Sequence, residues 1–98
     1  MTENEYPSVE IEEGKALGIE ATILSTKFRE TPWGMSHNML IEVDTGRGRY
    51  KLYGPVPKAL EGSLGPEPGR RITMICNVNV SDDPSFGFFA RPRSAFFI

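Results

Sequence analysis

The strongest constraint on the fold comes from residues 70–80, where an apolar side chain stands at every second position from Ile72 to Val80. A period of two is the pattern of a β-strand that buries one of its faces. The apolar face holds Ile72, Met74, Cys76, Val78 and Val80. The opposite face is mostly polar, so this segment predicts a strand that covers one side of a single core.

Four further segments predict strands. Residues 17–28, 39–44 and 49–53 alternate in the same way, and residues 86–98 form an aromatic-rich strand, bend and strand. The side chains predicted to point inward from the three alternating segments are Ile19, Ala21, Ile23, Met39, Ile41, Val43, Tyr50 and Leu52. In the last segment, the phenylalanines assigned to the core are Phe86, Phe88, Phe96 and Phe97.

The connections contain the residues that favour turns. Residues 29–38 are predicted as a loop that holds Trp33, and residues 45–48 as a hairpin turn. Between Pro57 and Gly62 the sequence predicts one or two helical turns. A chain of 98 residues is long enough for one modest domain. The order of elements therefore predicts an all-β fold, a small closed or nearly closed barrel of five strands with one short helix between strands 3 and 4.

Gly18 in the first strand predicts a bulge or a tight bend, as small barrels need at their corners. With it, this layout resembles the OB-fold, which implies a small five-stranded OB-like Greek-key barrel. Residues 1–14, which are acidic and interrupted by Pro7 and Gly14, predict a flexible arm, and the OB-like barrel domain is expected over residues 15–98. A second resemblance lies in the string from Asp83 to Pro92, Asp-Pro-Ser-Phe-Gly-Phe-Phe-Ala-Arg-Pro, which is similar to small actinobacterial and bacteriophage proteins of unsettled function. It implies a bacterial or phage-infected cell as the setting.

Charge is unevenly distributed along the chain. Five acids and no base lie in residues 1–13, which leaves 8 acids and 11 bases for residues 14–98. Such a split is typical either of a nucleic-acid-binding body with an acidic arm or of a tail that only aids solubility. No apolar run has the length of a membrane span, the N-terminus lacks the features of a signal peptide, and a single cysteine favours a reducing compartment. We therefore expect a cytoplasmic protein without a membrane partner.

The residues that catalysis or metal binding would need are sparse. His37, the single histidine, is predicted as a surface residue of a loop, and Cys76 as a buried, inert thiol. Asp82 and Asp83 are typical of a turn before Pro84. We expect no enzyme activity, no metal site and no cofactor.

Basic residues interleaved with aromatic residues give the stronger signal. Single-stranded nucleic acid needs cations for its phosphates and flat rings on which bases stack. On an OB-like barrel these are expected on the second and third strands and the adjoining loops. The predicted phosphate contacts are Lys27, Arg29, Arg47, Arg49, Lys51, Arg91 and Arg93, and the predicted stacking residues are Trp33, Tyr53 and Phe89. The function expected is weak, non-enzymatic binding of single-stranded nucleic acid with little sequence preference.

Two alternatives remain open. In the first, a phage-type interaction or inhibitor protein docks on a host protein and uses Trp33 and Tyr53 as hot spots. In the second, the chain is a structural subunit of an assembly, as a homo-oligomer or otherwise. Under the nucleic-acid hypothesis, the acidic arm lies over the basic groove and competes with the ligand.

Overall fold

The computed structural model describes residues 10–46, 48–61 and 67–98 of the chain. A turn of 3-10 helix, Lys58–Leu60, stands between the third and fourth strands. The five strands are β1 (Gly14–Thr31), β2 (Gly34–Asp44), β3 (Arg49–Pro55), β4 (Arg71–Val80) and β5 (Phe86–Phe97). The predicted all-β fold with a short helical element in this position is confirmed.

The strands close into a barrel in the order β1-β2-β3-β5-β4, so that β4 returns to pair with β1. Four of the contacts are antiparallel and one, between β3 and β5, is parallel. The parallel contact is short and pairs Lys51 with Phe86 and Tyr53 with Phe88. Closure of the ring pairs both edges of each strand over part of its length. It also sets the first residues of β5 beside the middle of β3.

The predicted core is confirmed on β1 to β4. Apart from the partly buried Val80, the side chains predicted to point inward from these strands are buried, and Leu60 of the 3-10 turn is buried with them. Burial raises the pKa of the Cys76 thiol from its ordinary 9.0 to about 11. The thiol is therefore protonated at neutral pH and lacks the nucleophilic thiolate form, in agreement with the prediction of an inert cysteine.

β1 and β2 are longer than predicted, and the prediction of a loop over residues 29–38 is wrong. Thr31 pairs with Gly34 across a two-residue turn. Thr31 Oγ1 donates to the Gly34 carbonyl oxygen at 2.7 Å and accepts from the Trp33 amide at 3.3 Å. Gly34 has a φ of 128°, which favours glycine. Pro32 and Gly34 therefore mark a tight hairpin turn and not a long loop.

The end of this hairpin extends past the rest of the sheet. β3 pairs with β2 only as far as Asn38, and β4 pairs with β1 only as far as Thr22. Within the sheet, the strand residues 28–31 and 34–37 consequently pair with each other alone. We call residues 28–37 the β-ribbon.

β1 begins at Gly14, and its irregularity against β4 lies before Gly18, the residue at which a bulge or a bend was expected. The register shifts between Gly14 and Leu17, where Ala16 has a φ of 56°. Before β1, Ile11 is buried in the core, and its amide donates to the Pro84 carbonyl oxygen at 2.9 Å. Residues 1–9 of the predicted acidic arm lie outside the described residues.

Candidate nucleic-acid interface

Three aromatic side chains lie together on the outer face of β3 and β5. Tyr53 alternates with the buried Leu52, so its side chain points outward from the barrel as predicted. The parallel pairing then places Phe88 beside Tyr53, with Phe86 two residues earlier on the same face. The rings of Phe86 and Phe88 meet edge to face with centroids 5.5 Å apart. We call Tyr53, Phe86 and Phe88 the aromatic platform.

The inward and outward assignments of the last strand were partly wrong. Phe88 and Phe96 are exposed (47% and 60%), although the sequence pattern assigned both to the core. Phe89 is only 2% exposed and is a core residue, so the prediction that it stacks on bases is wrong. The pairing of Phe88 with Tyr53 turns Phe88 outward, and the next residue of the strand therefore faces inward.

Two hollows flank Phe86 on this outer face. The apolar hollow encloses about 290 Å³ and has Lys27, Leu40, Tyr53 and Phe86 among its lining residues. The polar hollow encloses about 440 Å³ and lies towards the turn at residues 81–85; it is lined by Glu42, Arg49, Tyr50, Lys51, Asp83, Ser85 and Phe86. Because both hollows share Phe86, they form one surface with a ring at its centre.

Three of the predicted phosphate contacts border these hollows. Lys27 lines the apolar hollow, and Lys51 lines the polar hollow. Arg49 also lines the polar hollow, where its Nη1 lies 3.4 Å from Glu42 Oε1. Arg47 lies outside the described residues.

The structure separates the other predicted residues from this surface. Arg29 lies on the β-ribbon, on the same face as Lys27. Trp33 is 92% exposed at the turn of the ribbon. It is about 20 Å from the Leu40–Tyr53 pair, because a strand rises about 3.3 Å per residue. Arg91 and Arg93 are exposed on β5 beyond the segment that pairs with β3.

The β-ribbon has a second, apolar face. Phe28 and Met35 are exposed there, on the side opposite Lys27 and Arg29. His37 stacks on Phe28 with ring centroids 3.9 Å apart and an interplanar angle of 10°, and its Nδ1 lies 3.0 Å from Glu61 Oε2. The prediction of a surface histidine in a loop is wrong, because His37 is on β2 and its side chain is only 12% exposed.

Some of this surface is visible in the sequence and some is not. The alternation of Lys51 and Tyr53 with buried neighbours identifies two of its members. Phe86 and Phe88 were missed because a phenylalanine on an alternating strand is most simply assigned to the core. Only the parallel pairing with β3 shows that they face outward.

Across residues 10–46, 48–61 and 67–98, no three His, Cys, Asp or Glu side chains are grouped as a metal ion would require. The same residues include no helix with the length and apolar character of a membrane span.

Comparison with family models, curated proteins and solved structures finds no match to the chain. The similarity to actinobacterial and bacteriophage proteins therefore stays a prediction.

Proposed function

We propose that this protein is a non-enzymatic module that binds single-stranded nucleic acid on the outer face of β3 and β5. The observation that carries the proposal is the aromatic platform: Lys27 lines the apolar hollow together with Tyr53 and Phe86, and Lys51 lines the polar hollow together with Phe86. Unpaired bases stack on exposed rings, and each such contact contributes about 1–3 kcal/mol. Stacking tolerates any base, so sequence preference is low over most of the bound strand.

The order of the strands supports this use of the surface. A closed ring in the order β1-β2-β3-β5-β4, with a helical turn after β3, is consistent with an OB-like barrel. Such barrels bind oligonucleotides on their second and third strands. The platform is built on the third strand and the start of the fifth, which lies directly beside it.

Electrostatics favours weak binding. Lys27, Lys51 and Arg49 border the hollows, and Glu42 and Asp83 lie among them. Three phosphate contacts give a slope of about −2 in a plot of log affinity against log salt, at about −0.7 per contact. The formal net charge of −2 adds no general attraction for a polyanion. The binding energy must therefore come largely from the rings.

Two exposed phenylalanines of β5 give a matched test. Phe88 belongs to the platform, whereas Phe96 pairs with Thr73 of β4 at the other end of the strand. We expect Phe88→Ala to weaken binding of a labelled oligothymidylate of about ten nucleotides by about 5- to 150-fold, from the loss of one stacking contact. Phe96→Ala should leave the affinity unchanged. Fluorescence anisotropy at about 50 mM salt measures both.

Three results would contradict the proposal. They are no binding by the unmodified protein at about 50 mM salt, an affinity that does not change with salt, and equal effects of the two alanine variants. Circular dichroism of each variant provides the folding control. Because Phe88 and Phe96 are both exposed, neither change removes a core side chain.

A second candidate function is docking on a partner protein through the apolar face of the β-ribbon. Phe28, Trp33 and Met35 are exposed within this ten-residue segment. Aromatic side chains and methionine are enriched at protein interfaces. In the phage-type interpretation, the occupant of this face is a host protein.

This candidate is tested by affinity capture after nuclease treatment. Support requires that a single captured protein binds again when both proteins are purified, and that Trp33→Ala but not Phe96→Ala abolishes this binding. If nuclease treatment abolishes the capture, the captured protein is held through nucleic acid, and the result supports nucleic-acid binding instead. A solution mass above the 10.9 kDa of one chain, measured by light scattering, would assign the apolar face to self-association instead.

A further inference from the structure

We infer that the polar hollow holds one base of the bound strand and selects guanine there. The inference rests on the proposed function and adds a preference at a single nucleotide. Its starting point is the composition of the hollow, in which the carboxylates of Glu42 and Asp83 stand among cationic side chains, beside the ring of Phe86.

The position of the hollow fits a base that follows the aromatic platform. Phe86 forms a wall of both hollows, so a strand that stacks on Tyr53 and Phe86 continues into the polar hollow at its next nucleotide. The volume of about 440 Å³ has room for a purine and its sugar. Lys51 lines the same hollow and is placed to hold the adjoining phosphate.

The presence of two carboxylates in the polar hollow requires an explanation, because carboxylates repel the phosphates of a nucleic acid. An ionised carboxylate is a hydrogen-bond acceptor only, so the part of the strand that it attracts is a base edge with donors. Guanine presents two neighbouring donors, N1–H and the N2 amino group, on one edge. On the corresponding edges of adenine, cytosine and thymine, each donor stands beside an acceptor, which a carboxylate would repel. The hollow therefore favours guanine.

We assign the hydrogen bonds with the guanine base to Asp83 and not to Glu42. Glu42 already has the guanidinium of Arg49 at 3.4 Å from its Oε1. Asp83 is exposed, and its Oδ1 accepts a hydrogen bond from the Ser85 amide at 2.9 Å, which fixes the side chain in the turn before β5. Each carboxylate oxygen has two lone pairs, so this bond leaves acceptor capacity for the base.

The test compares three oligonucleotides of equal length: all thymidine, the same with one central guanosine, and the same with one central inosine. Inosine keeps N1–H and lacks the N2 amino group. We expect the guanosine oligonucleotide to bind about 5- to 100-fold more tightly than oligothymidylate, with inosine between the two. Asp83→Asn should abolish the preference while its side-chain oxygen can still accept from Ser85.

Asp82→Asn is the matched control, because it removes the same charge from the neighbouring residue, which is not part of the hollow. It should strengthen binding of all three oligonucleotides alike and retain the preference. Oligothymidylate binding without a guanosine preference overturns the inference and leaves the proposed function intact. Equal loss of preference in the two asparagine variants also overturns it. Failure of every oligonucleotide to bind overturns the proposed function as well.

Discussion

Gly54 lies on β3 where the barrel closes against β5, and a single added methyl group tests that closure. A Cβ atom at Gly54 would overlap the Phe89 carbonyl oxygen and would stand 2.8 Å from two carbons of the Phe89 ring. Contacts below 3.0 Å are essentially never made by real Cβ atoms. Gly54→Ala must therefore move β3 away from β5 or displace Phe89 from the core.

The cost of this change is at the upper end of the range for overpacking. Extra atoms in a packed core cost about 1–3 kcal/mol, and here the closest atom belongs to the backbone and cannot rotate away. We expect a loss of about 3 kcal/mol from a domain whose free energy of unfolding is about 5–15 kcal/mol. The melting temperature then falls by about 12–24 °C.

Gly18→Ala is the matched control, since a Cβ atom at Gly18 on β1 has no other atom within 4 Å. We expect a change of no more than about 0.5 kcal/mol for this variant. Urea unfolding followed by far-ultraviolet circular dichroism measures both variants; Trp33 is too exposed to report on the core. Equal midpoints would refute the close approach of β3 to β5. The aromatic platform would then lose its structural basis, because that contact alone brings Phe86 and Phe88 beside Tyr53.

Three further predictions concern the core, the β-ribbon and the interface. The thiol of Cys76 is buried with a pKa of about 11 against an ordinary 9.0, so the folded chain retains a proton that the unfolded chain loses between these values. The contribution of this thiol to stability is therefore complete below about pH 9 and is lost, by about 2–3 kcal/mol, as pH rises through 11, and Cys76→Ala should remove this part of the decline in urea midpoints. Gly34→Ala strains a φ of 128° and should speed amide hydrogen exchange in residues 28–37, with barrel amides unchanged; a uniform change would contradict this. Lys51→Gln should reduce the salt slope of oligothymidylate binding by about 0.7, whereas Lys58→Gln, on the 3-10 turn, should not change it.

The core of this fold could be predicted because its signal is local. A strand with one buried face alternates regardless of its neighbours, so Ile41, Leu52 and Met74 are identifiable from residues two positions away. The presence of the short helix before β4 follows from Pro57 in the same way, since proline fixes its own backbone angle. None of these inferences requires knowledge of which strands pair.

The interface depends on pairing and could be predicted only in part. β5 interrupts its alternation at Arg91, where φ is 53°, so counting back in twos from the exposed Arg91 and Arg93 gives the wrong face for Phe89. The β-ribbon was missed because a proline and a glycine around Trp33 mark a turn in a hairpin as well as in a loop. In both places the deciding contact is with another strand.

The acids next to the interface account for its expected weakness and allow a last test. Glu13 accepts a hydrogen bond from the Val80 amide at 2.7 Å, and Ile11 is bound to Pro84, at the edge of the turn that forms the polar hollow. The acidic segment thus enters the barrel within the screening length of about 10 Å from a site that must attract phosphates.

Because Ile11 is a core residue, a deletion that probes charge must stop at residue 9. Removing residues 1–9 takes away Glu3 and Glu5, and we expect the shortened protein to bind oligothymidylate more tightly at low salt. This difference in affinity should disappear near 1 M salt, where the screening length is about 3 Å. A full-length Glu3→Gln, Glu5→Gln double variant should match the deletion. If only the deletion tightens binding, the bulk of the segment and not its charge obstructs the interface. If neither the deletion nor the double variant tightens binding, the acids do not compete with the ligand.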